Sequence, residues 1–218
     1  MRVAIMQPYF MPYAGYFRLM ATTDLFVSYD CVQFPRRGWV HRNQLTHVNG
    51  NKEWLTLPLA KADRDTTRIM DLAFAEDAQA TWAERLKQFP ALAEDTPWMQ
   101  QVRILSGAPA DYLFHGLKMV SRILGHECKF ATSSDLKLAP EIRGEDRILA
   151  IAKHFGATEY INASGGTELY DAKRFKDEGI TLKFLTAYDG NYTSMLERLQ
   201  REDPAAVKAE IEANCRFQ

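Results

Sequence analysis

Short apolar runs and segments of helical period alternate at both ends of the chain, with a different pattern between them. Residues 2–7 (RVAIMQ) form a brief continuous apolar run, the mark of a strand buried on both faces. Pro8 and Pro12 then bracket Tyr9-Phe10-Met11, and two fixed φ angles with two missing N–H donors forbid a ladder or a helix through them. A helix is expected to open at Pro12 or Tyr13, with Phe17, Leu19 and Met20 on its apolar side, and to end at Thr22-Thr23-Asp24. A second apolar strand over residues 25–29 completes a β-α-β unit.

The middle of the chain reads differently. Residues 39–48 and 52–59 are β-rich runs joined by Asn49-Gly50-Asn51, and an Asn-Gly pair tolerates the positive φ angles of a tight hairpin turn. Within this 39–59 hairpin, alternation is expected to put Trp39, His41 and Asn43 on one face and Val40 and Arg42 on the other. Residues 76–88, 92–106 and 110–124 read as three helices separated by Pro90 and by Gly107-Ala108-Pro109, a helical insertion over about 76–124. Strand, helix, strand, helix and strand then follow over 128–132, 144–155, 159–162, 170–178 and 181–185. A last helical stretch over 194–214, interrupted at Pro204, is expected to pack on the outside. The pattern predicts an α/β fold: one domain over 1–218 built on a Rossmann-like parallel sheet, with a β-hairpin and a helical insertion.

Charge narrows the partners. Lys plus Arg number 27 against 28 Asp plus Glu, so no net field favours nucleic acid or an anionic membrane. The apolar start is broken by Gln7, Pro8, Pro12, Gly15 and Arg18, unlike a secretory signal, and no run of about 18 apolar residues exists to span a bilayer. A cytoplasmic location is therefore expected. Cys31, Cys128 and Cys215 are far apart and odd in number, against a disulfide framework, and the five histidines lack metal-site spacing.

Candidate chemistry concentrates at the expected strand ends. Gln7 closes the first strand, and the following helix start offers free N–H groups suited to an anion. Tyr13 and Tyr16, three residues apart, share a helix face, with Gly15 leaving room for close approach. Asp30, at the carboxyl end of the second strand, heads a polar and aromatic cluster of Gln33, Arg36, Arg37, Trp39, His41, Arg42 and Asn43. Its arginines suit bidentate recognition of phosphate or carboxylate, and its tryptophan suits stacking on a ring. Ser164-Gly165-Gly166, between a strand and a helix, could turn N–H groups toward an anion, and a tight turn with a helix cap explains it equally well.

The segments IMQPYFMPYAGYFRLM, FVSYDCVQFPRRGWVHRNQL and YINASGGTELYDAKRFKDEGITLKFL together resemble the WbqC-like family of bacterial proteins, with His41 where the family pattern has Asn. The resemblance runs from about residue 2 to residue 185 and implies a context of surface-polysaccharide synthesis. More loosely, Tyr13-Ala14-Gly15-Tyr16 is similar in placement to the His-x-Gly-His of the HIGH-type nucleotidyltransferase superfamily, whose histidines stabilise phosphate charge. Tyrosine in both positions donates a hydrogen bond but supplies no full positive charge.

From the residues and the resemblance together, the expected function is group transfer on a small activated sugar or acyl-type substrate, such as the amino group of a nucleotide-linked aminosugar. Asp30 would act as general base or orienting carboxylate, Arg42 as anion clamp, and Tyr13 and Tyr16 as donors. A nucleotidyltransferase-like enzyme using a nucleoside triphosphate and magnesium, and a noncatalytic sugar-nucleotide binding protein, are the alternatives. Neither cofactor nor oligomeric state is specified by the sequence.

Overall fold

A computed structural model describes residues 1–35, 37–63 and 65–218. Five short strands, β1 (Arg2–Met6), β2 (Leu25–Ser28), β5 (Lys129–Thr132), β6 (Glu159–Asn162) and β7 (Thr181–Phe184), form a sheet in the order β5-β2-β1-β6-β7. Every pairing in it is parallel. The chain winds outward from β1 through β2 to β5 and then returns to β6 and β7 on the other side. This reversal creates a topological switch point between β1 and β6, where ligands of such sheets gather at the strand carboxyl ends.

The apolar strands explain the two covered faces. Val3, Ile5, Leu25, Val27 and Tyr160 pack against Ile148, Ile151 and Phe175 from α5 (Gly144–His154) and α6 (Ala172–Asp177). Their neighbours Ala4, Phe26 and Ile161 point the other way, into a larger apolar cluster. That cluster takes in α1 (Ala14–Thr22), the hairpin of β3 (Arg42–Thr46) and β4 (Lys52–Thr56), and the helices α2 (Ala78–Leu86), α3 (Pro97–Arg103) and α4 (Pro109–Ile123). The three inserted helices thus share the core of the sheet. Trp82 is fully buried among them, and its indole donates to the Val102 carbonyl at 2.8 Å.

Two expectations change. The hairpin ladder begins at Arg42 instead of Trp39, because the Trp39 carbonyl accepts from Phe10 N at 3.1 Å and so belongs to the turn after β1. The C-terminal helices α7 (Met195–Arg201) and α8 (Pro204–Ala213) are not merely external: Met195, Leu196, Val207 and Ile211 are fully buried in the larger cluster. A polar network holds them there. Arg198, 3% exposed, donates to Glu202 and Glu210, and the Tyr188 hydroxyl donates to Glu210 as well. Among the described residues no helix is long and apolar enough to cross a membrane.

Glu197 fastens the hairpin to α7. Its buried carboxylate accepts from Thr46 N at 3.0 Å and from Lys52 Nζ at 2.6 Å. Burial opposes its ionisation, but these hydrogen bonds more than offset the penalty and hold its pKa below the usual carboxylate value. A carboxyl depressed on folding stabilises the protein above its unfolded pKa of about 4.3, and that contribution is lost as pH falls through the folded value. Glu197→Gln is therefore expected to cost about 1–3 kcal/mol at pH 7. In thermal unfolding, its deficit relative to the parent narrows below about pH 4; a deficit independent of pH would exclude the charge as its source.

Candidate functional site

The turn after β1 is held in an unusual shape by side chains from distant elements. Met11 has φ of 42°, a left-handed conformation uncommon outside glycine. The Phe10, Met11 and Pro12 carbonyls of this turn all accept hydrogen bonds. Asn43 Nδ2 donates to Phe10 O at 3.0 Å and to Met11 O at 2.5 Å, Ser194 Oγ donates to Met11 O at 2.8 Å, and Met195 N donates to Pro12 O at 3.2 Å. Asn43 is 5% exposed and Ser194 1% exposed, so these bonds form away from competing water. Gly15 is required just beyond, since a Cβ there would lie 2.3 Å from the Tyr13 ring and 2.6 Å from the Tyr188 ring.

Between this turn and the hairpin lies a cavity of about 590 Å³, lined by Tyr9, Pro12, Tyr13, Trp39, Asn43, Gln44, Lys52, Asn191, Tyr192 and Thr193. Four aromatic rings contribute to its wall, and Tyr13 stacks on Tyr192 with centroids 4.8 Å apart. Burial pushes the Tyr9 and Tyr13 phenols above their ordinary pKa, so both stay protonated at neutral pH. Among the described residues neither hydroxyl has a hydrogen-bond partner, which leaves both free to donate. Lys52, tied to Glu197, places a cation at the rim. A site so built can stack on a ring and hydrogen-bond its hydroxyls while a charged group rests at the edge.

The other expected residues divide. Tyr13, Trp39 and Asn43 line the cavity, although Asn43 spends its donors on the turn. Tyr16 points into the core, and its hydroxyl donates to the Gln7 carbonyl at 2.6 Å. The Asp30 carboxylate is 5% exposed and occupied: Ser133 Oγ donates at 2.9 Å, Ser134 N at 3.0 Å and Ser134 Oγ at 2.6 Å. Asp30 thereby joins the carboxyl ends of β2 and β5. Arg42 lies elsewhere, on the Trp54 ring, so the structure does not bring Asp30 and Arg42 together. Trp39, His41 and Asn43 do not share a face: Trp39 is exposed against Trp54, His41 meets Phe34 edge-on at 4.9 Å, and Asn43 points inward. Gln33 forms an isolated bridge with Arg68, Arg37 is exposed, and Arg36 lies outside the described residues.

A second group gathers at the switch point. β1 and β6 pair side by side, and Gln7 and the Ser164 turn follow their carboxyl ends. Among the described residues the Gln7 amide and the Ser164 hydroxyl have no hydrogen-bond partner. A Cβ on Gly165 would meet nothing within 4 Å, whereas one on Gly166 would meet Asn162 Nδ2 at 2.9 Å. The first glycine thus opens the turn to solvent and the second permits its close packing. Among the described residues no group of three His, Cys, Asp or Glu side chains could hold a metal ion.

Tyr9, Gln44, Lys52, Asn191, Tyr192 and Thr193 were not singled out by the sequence. Tyr9 lay within the proline-bracketed run, and strand alternation through Trp54 was the available signal for Gln44 and Lys52. The 191–193 segment gave no local signal, since it reaches the cavity only because α7 docks on the turn.

The WbqC-like protein family model matches residues 7–198; the chain belongs to that family. The matched span includes both the turn and the Ser194 segment that braces it. An uncharacterized protein of Mycobacterium tuberculosis, Rv1507c, is 26% identical over 196 residues, covering 87% of this chain and 83% of the relative. No solved structure matches the chain.

The donor role of Asn43 is directly testable with Asn43→Asp. The substitution keeps the shape but replaces an N–H donor by a carboxylate facing two carbonyl oxygens, at an expected cost of roughly 3 kcal/mol or more. Chemical denaturation measures it, and native stability at neutral pH would show that the turn holds its shape without this amide.

Proposed function

We propose that this member of the WbqC-like family is a group transferase acting on an activated sugar in surface-glycan biosynthesis, with the sugar ring bound in the cavity between the β1 turn and the hairpin. The observation that carries this reading is the cavity wall itself: Tyr9, Tyr13, Trp39 and Tyr192 around amide side chains, with Lys52 at the rim. Pyranose rings present apolar C–H faces to aromatic rings and hydroxyls to polar groups at the edge, and a wall of this composition serves both.

On this reading Tyr9 and Tyr13 donate to sugar hydroxyls or to an oxygen that gains charge during transfer, a role open to neutral phenols held protonated by burial. Gln7 and the Ser164-Gly165-Gly166 turn would receive a phosphate-bearing portion at the switch point, as sheets of this order commonly do. Asp30 and Tyr16 serve the scaffold, since each carries internal partners that a reaction would have to break. The surface-glycan context comes from the family resemblance, and an amino group on a nucleotide-linked sugar is the acceptor that fits it.

Uridine-diphosphate-linked glucosamine is the probe. Calorimetric titration is expected to show binding, accompanied by a change in tryptophan fluorescence that is lost in Trp39→Phe. Tyr13→Phe is expected to weaken binding about fivefold to tenfold, the worth of one hydrogen bond. An undiminished fluorescence signal in Trp39→Phe, together with unchanged affinity in Tyr13→Phe, would remove the sugar from this cavity.

A further inference from the structure

The outer face of the hairpin continues past the cavity. Strand alternation sets Arg42 and Gln44 of β3 and Lys52 and Trp54 of β4 on one face, with Gln44 directly opposite Trp54. Gln44 and Lys52 also line the cavity, so its wall and this face are one surface. Beyond the rim, Trp54 is 40% exposed and Trp39 44% exposed, their rings 4.9 Å apart and inclined by 51°. Adjacent exposed indoles are costly to leave in water and mark a surface used for contact.

Arg42 completes the arrangement. Its guanidinium lies 4.2 Å over the Trp54 ring, and its Nε donates to the Gly38 carbonyl at 3.1 Å, which fixes the plane of the group. Among the described residues its two terminal nitrogens have no hydrogen-bond partner and no carboxylate neutralises it. A preoriented guanidinium whose terminal Nη1–Nη2 edge is open matches a carboxylate in two-pronged geometry.

We propose that Trp39, Trp54 and Arg42 form a platform for an acidic oligosaccharide, in which the sugar held in the cavity is followed by a uronic-acid residue whose carboxylate meets Arg42. The inference rests on the sugar-ring reading of the cavity and adds the length and charge of the substrate. Trp39 is the junction, since it belongs to both surfaces. The size of the face favours a saccharide over a protein. Five residue pairs at about 3.3 Å per residue, across two strands each about 4.8 Å wide, span roughly 160 Å², far below the about 800 Å² that each partner buries in a stable protein interface. A chain of a few pyranose rings fits such a strip.

Trigalacturonate and its fully methyl-esterified form test the proposal, because they share a backbone and differ in charge. The acid is expected to bind the full chain at least about tenfold more tightly than the ester, with an affinity that falls as salt rises. Arg42→Met is expected to abolish the preference for the acid. Trp54→Ala is expected to weaken both forms, with thermal unfolding confirming that each variant is folded. Equal binding of acid and ester, no binding of either, or an unaltered preference in folded Arg42→Met would overturn the platform. Binding of the nucleotide sugar alone would leave the cavity reading standing and reject the platform, whereas binding of trigalacturonate alone would keep a sugar ring in the cavity and reject the activated nucleotide sugar as its occupant. A phosphate-bearing oligosaccharide that binds while trigalacturonate does not would likewise overturn the uronic-acid assignment.

Discussion

The amide of Asn43 donating into the Phe10 and Met11 carbonyls is the contact on which the rest of the site depends. A five-residue turn with two prolines has few N–H groups of its own with which to satisfy its carbonyls internally. Partners must come from elsewhere, and they come from β3 and from the start of α7. Asn43 Nδ2 also lies 3.1 Å from Ser194 Oγ, so hairpin, turn and C-terminal helix meet at one buried node. The same hydrogen bonds that accommodate the left-handed Met11 therefore set the distance between Tyr13 and the hairpin, which is the width of the cavity.

That node also explains how the buried C-terminal helices contribute. The Tyr188–Glu210–Arg198 network and the α8 contact with α1 hold the 188–193 segment over the turn, where Tyr192 stacks on Tyr13. Arg18, 2% exposed, ties the same region together by donating to the Gly15, Thr186 and Asn214 carbonyls. A buried guanidinium bonded to three carbonyls and stacked over the Tyr188 ring is costly to displace, and here it joins α1 to the segments on either side of the C-terminal helices.

The legible part of the sequence was the part governed by local rules. The proline-bracketed turn, the Asn-Gly hairpin and the apolar strands follow from backbone sterics and periodicity, and these yielded a parallel α/β sheet without the order of its strands. Side-chain roles were legible only where an element end fixed the neighbourhood. Asp30 sits at the carboxyl end of β2, as expected, but in a parallel sheet the adjacent strand end is equally close. Ser133 and Ser134 follow β5 there and take up its carboxylate. Trp39 looked like a strand residue by alternation, yet its carbonyl accepts from Phe10, a contact no local pattern encodes. Tyr192, far along the chain, reaches the cavity by tertiary packing alone.

Tyr13 and Tyr16, expected on one helix face, part because α1 begins at Ala14 and leaves Tyr13 extended before it, and they show what separates a polar side chain of the scaffold from one available to a ligand. Tyr13 and Tyr16 are close in sequence and both are raised in pKa by burial, yet Tyr16 has a carbonyl partner in the core while Tyr13 faces the cavity with its hydroxyl unpaired among the described residues. The paired arrangement of a His-x-Gly-His site is thus not reproduced, because only one of the two positions reaches open space. Cations able to meet a negative charge beside the cavity come from another element. Lys52 at the rim and Arg42 on Trp54 are placed to meet it from the hairpin. Lys52 remains coupled to Glu197, whereas among the described residues the Arg42 terminal nitrogens have no partner, so this open charge lies outside the cavity. The cavity itself combines neutral donors with aromatic walls, and its charge complement stands beside it, a division that favours a ligand with an uncharged ring at one end and an anionic group further along.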